Sequence, residues 1–556
     1  MRDLSRQLPF LRWPRPGIAL LRGEAAAGLT VAVVMVPQSV AYAGLAGMPL
    51  VTGLYAAFLP ALVAALFGNS TRLSVGPSAL TSLLVATALL GMAVPASGAW
   101  VALAVWLALL SGFIQLVVGA SGASWVLNLV STPVLTGFTQ AAALLIIGSQ
   151  LPALLGVQVP LTSLLQAPQL HAESVAYGAA SVLALLTARR WLPRVPAVLV
   201  VVAAAAAVSA ATGFASRGEV VGALPVGLPA PYLPPFPGWE ALGSLVAPAL
   251  VIALVSSLEM ASSAKVESQR DGRRWDANQD LIGQGLAKIV SGLSGSFPTS
   301  ASFSRAALTL YAGARTGWTA VCSTGMVLLA LLFLTPALHH VPKPVLAAVV
   351  VAAVAALLKP SALPALWRID RVEAVTAGIT FAVTLLTAPR IYWGVLTGVV
   401  MGLAHFLYHR LHPRIIEVGL HPDGSLRDRH LWELPPLAPQ LYALRMDSGL
   451  DFASASAFER AIAEHLAQHP GTRHVCLFAQ PINRIDATGV ETFAQLRSLL
   501  ASRGVTLHIS GIKLPVEQVL RRAGALQESP LLQMYRTDTD ALHALASLEK
   551  TQGATA

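Results

Sequence analysis

From residue 73 to residue 172 the chain carries no Asp, Glu, Lys or Arg: one hundred consecutive residues, most of them apolar or small, run without a carboxylate, ammonium or guanidinium. A soluble domain could not tile its surface with such a stretch. A helix crossing about 30 Å of hydrocarbon needs about 20 mainly apolar residues, so the stretch holds several spans joined by tight, uncharged turns. Over the whole chain, apolar runs bounded by turn residues fall near 28–44, 47–68, 76–91, 100–119, 126–150, 173–188, 195–213, 243–262, 279–295, 304–313, 317–336, 342–358, 372–388 and 391–408. This predicts an all-α polytopic membrane domain of about 14 spans over residues 25–410, preceded by an N-terminal segment, 1–24.

The basic residues are distributed as topology signals. With the N-terminus inside, the even-numbered connections hold Arg72, then Arg189, Arg190 and Arg194, then Lys265, Arg270, Arg273 and Arg274, then Arg315, then Lys359, Arg368 and Arg371; the odd-numbered ones offer only Arg217, Lys343 and Arg390. Such asymmetry favours N- and C-termini both cytoplasmic, because an error of one span would scramble the alternation. The start of the chain, with Arg2, Arg6, Arg12, Arg15 and Arg22, runs into apolar sequence without a cleavage-like break and reads as a cytoplasmic flank, not a removable signal.

Beyond about residue 411 the pattern becomes charged and periodic. Residues 411–435 read as a linker and the start of a second domain, and 436–550 as its body. Glu417-Val418-Gly419 with an Asp423-Gly424 turn suggests a hairpin. Strands at 442–446, 475–478 and 505–510 then alternate with helices at 452–468, 488–501 and 515–523, the pattern of a small α/β layer domain. It shows no glycine-rich phosphate loop, metal cluster or catalytic triad, so a regulatory or stabilising module is expected, not an enzyme.

Composition agrees: 55% of residues are hydrophobic and 12% charged, with a mean hydropathy of +0.65. The net charge of +10 sits in short loops between spans and forms no basic stripe interleaved with aromatics, which argues against nucleic acid. Two cysteines, Cys322 and Cys476, make neither a disulfide framework nor a metal cluster. His405, His409 and His412 share one helical face; a metal site there is the weaker reading, and an interfacial anchor beside Arg410 and Arg414 the stronger.

Two spans are broken in similar ways. Arg72-Leu73-Ser74-Val75-Gly76-Pro77-Ser78-Ala79 and Gly295-Ser296-Phe297-Pro298-Thr299-Ser300-Ala301-Ser302-Phe303-Ser304-Arg305-Ala306 each set a short extended segment ahead of a helix. Paired breaks in two halves of a transporter point to a central site between inverted repeats, although Gly and Pro can also merely kink a span. Facing helix N-termini would attract an anion through free backbone N–H groups. Arg305 adds a planar guanidinium suited to oxyanions, unless it snorkels to a membrane face or forms a permanent ion pair. Glu259 is a carboxylate within another span. Desolvation favours its neutral form and a nearby cation its charged form, so its protonation can follow whether an anion occupies Arg305, with an Arg–Glu pair re-forming when the anion leaves. A structural role beside Lys265 is the alternative.

These residues resemble the sulfate permease (SulP) family of anion transporters. The first span, from Gly28-Leu29-Thr30 to Val36-Pro37-Gln38-Ser39-Val40-Ala41-Tyr42-Ala43-Gly44-Leu45-Ala46-Gly47, is similar to the family signature, as are Gly53-Leu54-Tyr55, Phe67-Gly68-Asn69-Ser70, Leu73-Ser74-Val75-Gly76-Pro77 and Phe303-Ser304-Arg305 with Ala312-Gly313-Ala314-Arg315-Thr316. The tail resembles a STAS domain (sulfate transporter and anti-sigma factor antagonist). The resemblance implies a seven-plus-seven inverted repeat with a core domain moving against a gate domain, commonly as a homodimer in the bacterial cytoplasmic (inner) membrane, and a STAS domain open to a cytoplasmic protein partner. It also implies that Gln38 and Tyr42 line the anion site, Ala79 caps it, Ser304 and Arg305 hold the anion, and Glu259 couples protons, with Ser78 and Ser263 in support. Sodium-dependent bicarbonate members carry a small residue where Arg305 stands and an Asp with a hydroxyl four residues on. Glu259 and Ser263 keep that spacing, but Arg305 would repel the cation, so a proton is favoured over sodium and no other cofactor or metal is expected. In Ile485-Asp486-Ala487-Thr488-Gly489, Ala487 replaces the hydroxyl that STAS phosphorylation uses, which leaves Thr488 and a helix-capping role.

The reading is an oxyanion/proton symporter working by alternating access, for sulfate, bicarbonate or a C4-dicarboxylate. An uncoupled exchanger or channel, a membrane anchor presenting the STAS domain, and a nucleobase carrier of related fold are the alternatives; Arg305 speaks against the last.

Overall fold

Fourteen helices lie over the fourteen apolar runs in the computed structural model, which describes residues 8–157, 170–191, 196–272 and 274–553. They are α1 (Ile18–Leu45), α2 (Val51–Phe67), α3 (Ala79–Leu89), α4 (Gly98–Ala120), α5 (Thr132–Leu155), α6 (Ala172–Trp191), α7 (Ala197–Thr212), α8 (Trp239–Asp271), α9 (Ala277–Leu293), α10 (Phe303–Tyr311), α11 (Trp318–Leu329, continued to Leu338), α12 (Lys343–Ala355), α13 (Arg371–Leu386) and α14 (Tyr392–Leu411). Five, α1, α4, α5, α8 and α11 with its continuation, are by length and hydropathy alone sufficient to cross a membrane. The topology signals expected at Arg2, Arg6, Arg194 and Arg273 lie outside the described residues.

The packing repeats itself under a shift of seven helices. Helix α1 packs on α11 as α8 packs on α4; α2 packs on α9 and also on α11, as α9 packs on α4. Likewise α5 packs on α12 and α13, and α12 on α6. Helices α1–α4 with α8–α11 thus make one bundle and α5–α7 with α12–α14 a second, the core and gate of a seven-plus-seven repeat. Small residues allow the close crossings: a side chain at Gly53 would run into the Ser39 carbonyl of α1, and one at Gly137 of α5 into Ala377 of α13.

Connections of one parity cluster together. Arg72, between α2 and α3, pairs with Asp271 at the end of α8 (2.9 Å) and donates to the Arg315 carbonyl after α10 (3.3 Å); Glu24, at the start of α1, accepts from the Arg315 amide (3.2 Å). On the opposite end Lys343 pairs with Glu219 (2.9 Å) and Arg217 with Glu173 (3.0 Å). Alternating spans require this segregation.

The second compact unit begins at Leu403. Its mixed sheet has the order β4-β3-β5-β6-β7-β8, from β3 (Ile415–Leu420), β4 (Leu426–Asp428), β5 (Leu441–Met446), β6 (His474–Phe478), β7 (Thr506–Ser510) and β8 (Leu532–Tyr535). The expected hairpin is β3–β4, antiparallel, while β5 to β8 run parallel and are joined through α15 (Ala455–Gln468), α16 (Ala487–Ser502) and α17 (Leu514–Arg522). Strand β8 and the helix α18 (Asp538–Gly553) were not expected from the sequence. Asp486 caps α16, its carboxylate accepting from the Gly489 amide (2.8 Å). Arg410 and Arg414, expected beside an interfacial anchor, pair with Asp451 (3.0 Å) and Asp428 (2.9 Å).

A chain of rings crosses this sheet: His474 Nδ1 lies 3.1 Å from His508 Nε2, and His508 Nδ1 lies 3.1 Å from the Tyr535 hydroxyl. Burial, with the neighbouring His474, pushes His508 down to about 4 from the ordinary 6.5. The unfolded chain therefore takes up this proton first on acidification. The stability is complete above about pH 6.5 and drains away as pH falls towards 4, by up to about 3 kcal/mol. Hydrogen exchange of β7, corrected for intrinsic rates, should speed up between pH 7 and 5 in the native protein and much less in His508→Leu.

Candidate functional site

The Gly-Pro and Phe-Pro breaks produce two half-helices whose starts are tied together. Residues Val75–Gly76 (β1) and Ser300–Ala301 (β2) pair antiparallel, Val75 opposite Ala301 and Gly76 opposite Ser300, and each strand leads directly into its half-helix, α3 or α10. The Ser302 amide donates to the Ser74 carbonyl (3.0 Å), extending the link. Ser78 caps α3, accepting from the Thr81 amide (3.3 Å), and Ser302 caps α10, accepting from Arg305 N (3.5 Å). The two N-termini, with their partial positive charge, therefore approach a common layer inside the core bundle.

Arg305, in the first turn of α10, is 1% exposed. It does not snorkel. Its Nε donates to Ser74 Oγ (3.3 Å), and a Cβ at Gly76 would stand 3.4 Å from its Nη2, so the guanidinium lies against β1. Among the described residues neither Nη1 nor Nη2 has a hydrogen-bond partner, a costly condition for a buried cation. Tyr42 of α1 and Glu259 of α8 lie within electrostatic reach.

Glu259 corrects one expectation. Among the described residues it forms no ion pair with Arg305 or with the exposed Lys265; its Oε2 accepts instead from Ser78 Oγ (3.2 Å) and from Ser300 Oγ. The hydroxyls of the two helix breaks reach the carboxylate first, while Arg305 is drawn towards Ser74. Ser78 thus touches Glu259, whereas Ser263 donates to the Glu259 backbone carbonyl (3.0 Å) and supports the helix, not the carboxylate.

A cavity of about 580 Å³ lies between the core helices α1 and α10 and the gate helices α6, α7 and α12. Leu29, Val33, Val349 and Ala353 give it mostly apolar walls, Gln38 and Ser304 line it, and Arg189 and Pro196 stand at the α6–α7 end. Of the expected site residues, the structure thus brings Gln38 and Ser304 to the cavity. Gln38 Oε1 is buried without a hydrogen-bond partner among the described residues. Tyr42 (4% exposed) and Arg305 are buried and do not line it, while Glu259 and Ala79 are half-buried and Ala79 opens α3.

The sequence reading missed a cation. Lys288 of α9 is fully buried, its Nζ donating to Gln115 Oε1 of α4 (2.7 Å) and Ser256 Oγ of α8 (2.9 Å). The signal was a single Lys in the apolar run 279–295. Two further buried carboxylates are structural clamps. Asp280 accepts from the Asn69 and Ser70 amides (2.6 and 2.9 Å), and Glu267 from the Thr71 amide (3.1 Å), so α8 and α9 fix the loop that leads to β1.

Residues 21–380 match the model of the sulfate permease family and residues 436–541 that of the STAS domain. The chain belongs to the sulfate permease family. A Mycobacterium tuberculosis protein described as a "Probable sulfate transporter" is 34% identical over 91% of this chain and 92% of its own length. The chloroplastic sulfate transporter 4.1 of Arabidopsis thaliana is 30% identical over 93% of this chain and 79% of its own. The murine solute carrier 26 family member A9 anion transporter, solved in its inward-facing state, superposes with a TM-score of 0.88 at 20% identity, covering 98% of this chain and 95% of that one. The chain is a multi-pass membrane transporter with a C-terminal STAS domain, and not an enzyme.

Proposed function

We propose that this transporter moves a small oxyanion together with a proton by alternating access. The observation that carries the reading is the buried guanidinium of Arg305, with two nitrogens unpartnered among the described residues, set beside paired helix N-termini with their partial positive charge. Its relatives' printed substrate, sulfate, is the leading candidate, and bicarbonate and C4-dicarboxylates suit the same chemistry. Ser304 and Gln38, on the cavity wall, are the direct contacts, offering a hydroxyl and an amide to an anion arriving from the α6–α7 end. Arg305, one residue behind Ser304, supplies the positive field. Glu259 carries the proton: a carboxylate held by two hydroxyls accepts a proton when an anion offsets the Arg305 charge, and releases it when the anion departs. With basic connections facing inwards, the α6–α7 end and both termini are cytoplasmic, the cavity is inward-facing, and the STAS domain meets cytoplasmic partners. Assembly is as a homodimer in the bacterial inner membrane.

Counterflow of labelled sulfate, bicarbonate and succinate in proteoliposomes at pH 6 and pH 8 tests this. Saturable flux of one of these anions, faster at the acidic pH, is expected. Flux of none would favour a membrane anchor for the STAS domain, and pH-independent flux an uncoupled exchanger.

A further inference from the structure

We infer that Lys288 is the fixed internal counter-charge of Glu259, a positioning residue that sets the pH at which the transporter takes up its proton. The inference deepens the symport reading and rests on it.

Lys288 is 0% exposed on α9 and reaches across to α8, where its Nζ lies 2.9 Å from Ser256 Oγ. Ser256 and Glu259 are three residues apart on one helix and so share a face. The nitrogen therefore sits within about one helical turn of the carboxylate. Its surroundings are built for a donor. The two N–H bonds of the Gln115 amide are shared among the Ala253 carbonyl (3.0 Å), Ser256 Oγ (3.0 Å) and Ser257 Oγ (2.6 Å), which leaves Gln115 Oε1 facing Lys288 at 2.7 Å. The Ser256 hydroxyl is directed to the Ile252 carbonyl (2.6 Å) and so presents a lone pair to Nζ. Among the described residues Nζ meets acceptors only, which satisfies an ammonium and would leave the lone pair of a neutral amine without a partner.

The charges around Glu259 are few. Helix α1 brings Tyr42, α10 Arg305 and α9 Lys288, while α3 and α4 bring no ionisable side chain. On α8 itself Lys265 is exposed and Glu267 is engaged by the Thr71 and Arg72 amides; Asp280 of α9 is held by Asn69 and Ser70. Arg305 is the cation whose charge a bound anion offsets. Lys288 does not line the cavity and is held by Gln115 and Ser256, so in the proposed cycle no bound anion offsets it and it stays charged. The proton that Glu259 takes up travels on the carboxylate and is given up on the other side.

Removing the fixed cation makes ionised Glu259 harder to sustain, so the protonated, uptake-competent form persists to higher pH. In proteoliposomes, the midpoint of the pH profile of sulfate uptake should move alkaline by about one unit or more in Lys288→Met and return to the wild-type position in Lys288→Arg. An unmoved midpoint in folded Lys288→Met overturns the inference. If that variant does not fold, the doubly neutral Lys288→Met/Glu259→Gln should fold, since the unpaired charge is gone; a double variant that also fails overturns the inference. The wild-type profile is a separate control, because a flat one sinks the symport reading itself.

Discussion

Arg305→Met is expected to abolish saturable uptake, by about 100-fold or more, while raising the thermal stability of the anion-free transporter. These opposite effects follow from one fact: the guanidinium is buried, yet Nη1 and Nη2 have no hydrogen-bond partner among the described residues. An uncompensated buried charge costs several kcal/mol, and an apolar side chain of similar length in its place relieves that cost. Anion binding relieves it differently. Saturating anion should stabilise the wild type, by about 2.7 kcal/mol at a hundred times Kd, and should leave the Met variant unmoved. Thermal melts with and without sulfate, alongside uptake, check all three statements. A Met variant that melts earlier than the wild type, or one that still takes up anion saturably, would place the binding site elsewhere.

The two broken helices were legible in the chain because Gly76-Pro77 and Pro298 interrupt apolar sequence that lipid otherwise requires to be continuous, and the fourteen runs were legible for the same reason. In the tail, alternating strand and helix patterns located β5 to β7 and α15 to α17. Strand β8 escaped because its four residues are at most half-buried and show no alternation, and α18 because its sequence is largely polar. Side-chain partnerships are where sequence stopped. Nothing in the spacing says that Ser78 and Ser300, not Arg305, reach Glu259, because that depends on how α3 and β2 approach α8. Lys288 was invisible for a similar reason: its partners Gln115 and Ser256 lie 173 and 32 residues away, and only the fold assembles the cage that makes a buried ammonium tolerable.

Glu259→Gln should separate coupling from movement. Gln has nearly the size of Glu and its amide oxygen can still accept from the Ser78 and Ser300 hydroxyls, so the helix breaks remain tied and the site remains formed. What is lost is the ability to take up and release a proton. If one proton moves with each anion, a pH difference of one unit supplies about 1.4 kcal/mol and supports about a tenfold accumulation in the wild type. In the Gln variant the accumulation should fall to the level set by the anion gradient alone, while anion-for-anion exchange continues at a rate that no longer varies with pH. Tenfold accumulation persisting in the variant would remove Glu259 from the coupling pathway and leave Tyr42 as the remaining ionisable group beside Arg305. Loss of exchange together with coupling would instead assign the carboxylate a structural task, holding α3 and β2 against α8.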